Sequence, residues 1–547
     1  MRTNAFIVVR MKLILLTVLC TLLGQAQVNI LTGNGNNDRT NASLREIQLS
    51  PATVNSSSFG KLGVFQVDGQ VYGQPLYVSG LSISGDGTHN VLFVSTMHNS
   101  VYAFDADAVS PVSLLWQVNL GPSVPATLLF GQYGDIAFEV GILSTGVIDL
   151  QRGVLYVVAD TIELGTPALY LHALDLATGV ERLNGPVPLT ATVAGTGSGA
   201  LTDGTLTFDP RQHIQRPGLL LANDSVYIGF GSHGDQDPYH GWMLRYDASD
   251  LSRQLGAYVS TPNGNGGSFW QSGRGPTADP EGNIYAVTGN GDYDGIHNFG
   301  ESILKMSSKV SAVLDSFTPS NWKSMSDNDC DLSAGPALIA GTHTVIGADK
   351  AGNLYVLNGD AMSQPGSASI ITASTGTIFN FAVWSRGGSA RVYTQGEREP
   401  PKCFQVTDNV VTPNPISTAA NSVPFARIGM TISANGDQEG SGILWETTGD
   451  YNAGTPGTLH AYDASDLANE LWNSDMNSAR DQMPPITKFV SPTVANGKVY
   501  VPSSDNLVLV YGMFPTGRHP RPARHLQDPS LPMKWLPAWT FPRPGPI

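Results

Sequence analysis

The feature that most constrains this chain is a strand signal that returns eight times. It occurs at Val91-Leu92-Phe93-Val94, Val154-Leu155-Tyr156-Val157, Val226-Tyr227-Ile228, Ile284-Tyr285-Ala286, Val345-Ile346, Val392-Tyr393, Ile443-Leu444-Trp445 and Val499-Tyr500-Val501, at intervals of 47 to 72 residues. After most copies a second strand follows, as in Val101-Tyr102-Ala103-Phe104-Asp105, Leu171-His172-Ala173-Leu174-Asp175 and Leu459-His460-Ala461-Tyr462-Asp463. Polar turns and a further strand carrying Trp116 or Trp472 complete the unit. Self-similarity at this period, built from short strands, implies repeated small sheets that bury their faces on one another. The expected fold class is all-β, an eight-bladed β-propeller. The last copy, Val499 to Tyr511, lacks an outer strand, and Phe59 to Val67 has no other partner, so the N-terminal strand is expected to close the ring.

Composition agrees. Gly 60 and Pro 36 in 547 residues exceed the average share of about 12%, as a turn-rich chain requires. Only 14% of residues are charged and 41% are hydrophobic, which excludes a highly charged disordered chain. The formal net charge is −15, against binding of a nucleic-acid backbone. Three cysteines, Cys20, Cys330 and Cys403, are too few for a disulfide framework or a four-cysteine zinc site, and the pairing of Cys330 with Cys403 is left open.

Residues 11–26 have the charged start, the short apolar run Leu13 to Leu23 and the small-residue end of a secretory leader. The run is too short to serve as a membrane anchor across about 30 Å of hydrocarbon. Residues 1–26 are therefore read as a signal peptide, and export to a periplasm or the exterior is expected. Residues 515–547 are Pro-rich and basic, and are read as an extended or disordered tail, with wall or partner binding as the functional rival. Leader and tail hold eight cations and one acid, so residues 27–514 carry 22 basic and 44 acidic residues. An acidic ring favours calcium or cationic partners over free anions.

The phrases Ala173-Leu174-Asp175-Leu176-Ala177-Thr178-Gly179, Asp68-Gly69-Gln70-Val71-Tyr72-Gly73-Gln74-Pro75-Leu76-Tyr77, Pro238-Tyr239-His240-Gly241-Trp242 and Ser491-Pro492-Thr493-Val494-Ala495-Asn496-Gly497 resemble the repeats of exported bacterial pyrroloquinoline-quinone (PQQ) repeat proteins, the quinoprotein alcohol dehydrogenase-like propellers. The likeness runs from about residue 28 to 512. It implies an eight-bladed propeller and, in the enzymes, oxidation of an alcohol or sugar by a quinone with calcium and a carboxylate base. The adjacent cysteine pair of the alcohol-oxidising members is missing, and Tyr133-Gly134-Asp135 stands where it is expected. Propellers of this repeat class also include non-enzymatic scaffolds. Two readings therefore stand side by side: a ligand-binding propeller, with PQQ and calcium as cofactors, and a scaffold for protein or polysaccharide. A monomer is expected.

Candidate site residues follow from local chemistry. Asn290, Asp292, Asp294 and Glu301 fit the spacing of a calcium loop around Gly295, with Asn290 in place of the first Asp; an ordinary polar hairpin loop is the alternative. His233, Asp235, Asp237, Tyr239, His240 and Trp242 form a cluster in the third blade whose His233, Asp237 and His240 are candidates for the channel mouth; a hydrogen-bonded turn is the rival. Trp270, in a glycine-rich stretch, is a candidate flat floor for a planar ligand or else inter-blade packing. Arg216, Arg274 and Lys350 are candidates for holding carboxylates of a polyanionic quinone, and Glu139, a charge within an apolar run, is a weak candidate for a catalytic base on an inner strand. Gly33-Asn34-Gly35 reads as a turn, not a phosphate loop.

Overall fold

The computed structural model describes residues 28–131, 134, 136–422, 427–450 and 454–515. The leader 1–26, Tyr133, Asp135 and all of the tail except Pro515 lie outside the described residues.

Each of the eight strand signals becomes the second strand of a blade, and each blade is an antiparallel sheet read outward from the axis. The first blade shows the plan: Leu76–Ile83 innermost, then Gly87–Ser95, Ser100–Val109 and Val112–Asn119. The alternation of side chains along a strand explains why these signals are apolar throughout rather than every second residue. In the first blade Leu92 and Val94 pack toward the eighth blade, with Tyr500 and Val510, while Val91 and Phe93 pack toward the second, with Leu155 and Val157. The same division repeats around the ring, so that a hydrophobic cluster fills every gap between neighbouring blades. Trp242, Trp384, Trp445 and Trp472 are the largest side chains fully buried in these gaps.

The eighth blade is shared between the two ends of the chain. Thr493–Ala495, Lys498–Pro502 and Leu507–Met513 supply three strands, and Phe59–Gln66 adds the fourth, antiparallel from Phe59 opposite Met513 to Gln66 opposite Leu507. Closure by the N-terminal strand is as the repeat analysis expects.

The residues ahead of that strand do something the sequence did not announce. Between Ile30 and Glu46 the chain runs inside the ring and meets all eight blades. Ile30 bridges Tyr77 of the first blade, and Thr32 bridges Val147 of the second. Asn37 Nδ2 donates to Leu221 O of the third, and Arg39 Nε to Pro276 O at the fourth. Asp38 O accepts from Leu338 N of the fifth, and Thr40 O from Val383 N of the sixth. Ala42–Ser43 adds a parallel strand inside the seventh, and Glu46 Oε2 accepts from Gly497 N of the eighth. These contacts lie on or beside the inner strands of all eight blades, so the segment plugs one end of the channel and leaves the other as the mouth. Glycine at position 275 is required by the plug, since a Cβ there would lie 2.4 Å from Arg39 Nη2.

One buried acid is placed against the rest of the core. Glu446, in the strand Ile443–Thr448, is wholly buried, neither carboxylate oxygen has a hydrogen-bond partner, and burial with the charge of Glu470 pushes its pKa up to about 8. A group protonated in the folded state and ionised in the unfolded state makes stability fall as pH rises between the two pKa values. Glu446→Gln should therefore flatten the decline of melting temperature between about pH 5 and pH 8, measured by thermal melts across that range; an unchanged slope would remove Glu446 as its source. Deleting residues 27–70, which removes both the plug and the closing strand, is expected to abolish cooperative unfolding by calorimetry.

Candidate functional site: the channel mouth

At the open end of the channel a cavity of about 310 Å3 is lined by Trp270, Phe379, Asp235, Tyr239, Ser268, Asn290, Asp329, Cys330, Asp331, Lys350, Glu397 and Arg427. These residues come from blades three to seven and share two kinds of position. Asp331, Phe379 and Arg427 stand at or just before the start of an inner strand; Asp235, Asn290, Lys350 and Glu397 follow the end of a second strand. The turns at this end thus supply the chemistry while the sheets hold it.

Trp270 is presented by a strained turn. Gln271 and Ser272, directly after it, have φ of 51° and 48°, and both are held there: Gln271 Oε1 accepts from Val287 N at 2.7 Å, and Ser272 Oγ donates to Ser333 O at 2.6 Å. The indole is half-buried and forms an aromatic layer across the axis with Phe379 and Phe489, at centroid distances of 6.0, 5.4 and 5.0 Å. Cations surround this layer. Lys350 Nζ lies 5.4 Å from the Trp270 centroid, Arg427 5.1 Å from that of Phe379, and Arg216 4.9 Å from that of Phe489.

Above the layer Lys350 Nζ sits 2.5 Å from both Asp329 Oδ1 and Asp331 Oδ1. Burial would lower the lysine's pKa, but the two carboxylates outweigh it and raise it, so the ammonium stays charged. Burial pushes the Asp331 carboxyl up to about 6, with Lys350 opposing. Behind them Glu301, with no exposed surface, accepts from Leu332 N at 3.1 Å and is pushed up to about 9 by burial and by the charge of Asp331. Glu397 pairs with Arg427 at 3.5 Å. Ser268 Oγ and Asn290 Oδ1 are buried polar atoms of the lining that have no hydrogen-bond partner.

The residues singled out in the sequence are therefore dispersed. Trp270, Lys350 and Asn290 line the mouth. Arg216 lies beneath, in a smaller cavity with Lys488 and Phe489. Arg274 does not reach the mouth: it is 1% exposed and donates to Asn380 Oδ1, Phe381 O and Arg39 O, tying the plug to the sixth blade, and burial followed by the charge of Arg39 lowers its pKa to about 9. The calcium-loop residues do not converge. Asp294 Oδ1 accepts from the amides of Ile296, His297 and Asn298, Asp292 Oδ2 accepts from Asn265 N, and Glu301 points inward to the fifth blade. Among the described residues no three His, Cys, Asp or Glu side chains gather as a metal shell. In the third-blade loop Asp235 and Tyr239 line the mouth, whereas His233 and His240 are buried, and His240 bonds Thr261 Oγ1 and Ser198 O. Burial lowers His233 to about 3, and Asp237 accepts from Asn265 Nδ2 at 2.6 Å. Glu139 is on no inner strand. It lies in the connection between the first two blades, paired with His98 at 3.0 Å. Cys330 and Cys403 are both free thiols.

With the ring and its mouth in place, comparison with solved structures identifies the architecture. It is an eight-bladed propeller whose fold is similar to that of quinohemoprotein alcohol dehydrogenases. The chain is similar to the quinohemoprotein alcohol dehydrogenase from Comamonas testosteroni, at TM-score 0.56 and 16% identity over 91% of this chain and 82% of that one. It is equally similar to quinohemoprotein alcohol dehydrogenase ADHIIG from Pseudomonas putida HK5, at TM-score 0.55 and 15% identity with the same coverage. BamB from Moraxella catarrhalis matches at TM-score 0.47 and 12% identity, over 84% of this chain and 99% of that one. No family model and no curated protein matches the sequence. The eight-bladed quinoprotein-like propeller thus rests on the fold.

Arg274 separates a structural cation from a binding one. Arg274→Ala leaves Asn380 and the Arg39 carbonyl without their charged donor, and should lower stability by about 2 kcal/mol or more in chemical denaturation. A variant as stable as the parent would contradict its role in the plug.

Proposed function

We propose that the protein is an exported, quinoprotein-like propeller that binds a small ring-shaped ligand at its channel mouth, and that the ligand is a quinone held with a divalent cation. The observation that carries this reading is the 310 Å3 cavity floored by Trp270 and walled by the ion-paired Lys350, Asp329 and Asp331. Its volume lies within the range of about 300–1,000 Å3 found for small-molecule sites.

The lining suits such a group in kind. The indole of Trp270 offers a flat face, Lys350 and Arg427 are cations for carboxylates, and Asn290, whose Nδ2 donates to Asp329 and whose Oδ1 has no partner, offers with Asp329 the oxygen donors that calcium prefers. The described acids of the lining, Asp235, Asp329, Asp331 and Glu397, outnumber Lys350 and Arg427, so a polyanion alone meets an acidic mouth and a divalent cation redresses the balance. A bound quinone would supply the acceptor for a hydride from an alcohol or sugar. The chain's own part is narrower. Trp270 and the aromatic layer below it orient a ring and keep water out from beneath. Asp331, with its pKa near 6, is ionised at neutral pH and takes up a proton at its carboxylate close to that pH, and Lys350 fixes its position. Residues 1–26 support export, and among the described residues no helix is long and apolar enough to cross a membrane.

Titration of the purified protein with PQQ, with and without calcium chloride, should give saturable quenching of tryptophan fluorescence that requires the cation. Trp270→Ala and Lys350→Ala are each expected to weaken it at least tenfold, and dye reduction with a panel of alcohols and sugars then reads activity. Quenching absent in the parent, or unaltered in both variants, would overturn the reading.

A further inference from the structure

A second cavity opens on the same face of the ring, between the turns of the eighth and first blades and the connection to the second. It measures about 470 Å3 and is lined by Gln70, Phe138, Glu139, Ser504, Asp505 and Asn506, with Gly69 and Leu507. Nothing in the mouth proposal uses it. Its most unusual member is Phe138, which is 81% exposed. Exposure of a phenyl ring forgoes the burial that places most aromatics in the core. The backbone resists this placement too. Phe138 has φ of 69°, and the bond from Glu139 N to Ala137 O at 2.9 Å closes a three-residue turn around it. A bulky residue in that turn is a strained outlier, of the kind that persists where surrounding structure holds it for a use. Here the holding is explicit, since Phe138 O accepts from Ala126 N at 2.9 Å, and Val124–Pro125 pairs with Glu139–Val140.

The polar groups beside the ring are fixed as well. The Glu139 carboxylate accepts from His98 Nδ1 at 3.0 Å and from Ser123 Oγ. Gln70 Nε2 donates to Ser504 O at 3.2 Å, which anchors the amide, while its Oε1 is buried without a hydrogen-bond partner. Glycine at 69 allows the chain to press on His98, where a Cβ would lie 2.8 Å from the His98 amide nitrogen. Among the described residues the lining holds two carboxylates, two amides and a hydroxyl but no lysine or arginine. That set repels anions. It suits a ligand with an apolar face to lie on the phenyl ring and with hydroxyls around its edge that donate to the carboxylates and bond the amides.

We infer that this groove is a saccharide-binding site, in which Phe138 stacks on the C–H face of a sugar ring of a neutral glycan while Glu139, Asp505 and Asn506 take its hydroxyls. The site is separate from the mouth, and its test does not depend on what the mouth binds. The full chain is run in native affinity gels containing xyloglucan, glucomannan, laminarin or polygalacturonate. At least one neutral polymer should retard it. Phe138→Ala, at an exposed position, should abolish the retardation without changing the thermal melt, and Glu139→Gln should weaken it about tenfold. Trp270→Ala should leave it as in the parent. No retardation by any neutral polymer, retardation by polygalacturonate alone, or retention equal in Phe138→Ala and the parent would each overturn the inference.

Discussion

Everything in this molecule depends on the pairing of Phe59–Gln66 with Leu507–Met513. A ring of blades has no free gap only if the last sheet is complete, because each blade covers one face of each neighbour. The cluster between the eighth and first blades includes Phe65 from the closing strand together with Phe104, Val508 and Val510, and that between the seventh and eighth includes Phe59 with Trp445 and Trp472. Closure therefore seals two hydrophobic gaps at once. It also joins residues more than 400 positions apart in sequence, so a pairing of high loop-closure cost is paid only when the remaining blades are already in place.

The closing strand brings the plug with it. Because Phe59–Gln66 must start on the rim of the eighth blade, the residues before it have to leave the axis there, and from Ile30 to Glu46 they do so after touching all eight blades. Two arginines make this possible. Arg39 is fully buried and gives its five-donor guanidinium to the carbonyls of Gly33, Leu219 and Pro276 and to Thr32 Oγ1, and Arg274 returns a bond to the Arg39 carbonyl. The inner strands converge on the axis with carbonyl groups that no neighbouring strand can pair, and an arginine fork satisfies several at once. Sealing that end leaves the channel with a single mouth among the described residues.

The sequence made the ring legible and the mouth mostly illegible, for the same physical reason. A second strand is buried on both faces and reads as a continuous apolar run, so Val91–Val94 or Val499–Val501 announces itself. Inner strands such as Val147–Asp149 and Thr493–Ala495 are too short to show a period. Mouth residues sit in polar turns, where function and turn chemistry favour the same residue types. The Asn290 to Glu301 spacing shows the ambiguity: it matches a calcium loop, yet Asp294 spends its oxygen on three backbone amides and Glu301 is turned into the core. Asp329, Asp331, Glu397 and Arg427 carried no motif. Blade register would have found them, since residues just before an inner strand or just after a second strand face the mouth. Arg39 and Arg274 were hidden differently, because nothing in a sequence tells a cation that will bond carbonyls from one that will meet a ligand.

Burial and one shared lysine account for the electrostatics of the mouth. Trp270, Phe379 and Phe489 cross the channel, so groups immediately above them have an apolar floor on one side and solvent on the other. Asp331 is buried beside this layer's residues in the lining, and burial pushes its carboxyl up to about 6 despite a lysine at 2.5 Å. The lysine in turn stays protonated because two carboxylates share it. Were Asp331 exposed, it would ionise at an ordinary carboxylate pKa and would be a poor proton acceptor at neutral pH; were Lys350 absent, burial and Asp329 would drive it higher. Burial and the Lys350 pair thus act in opposite directions on one carboxyl group, and their balance, not either alone, sets it close to neutrality.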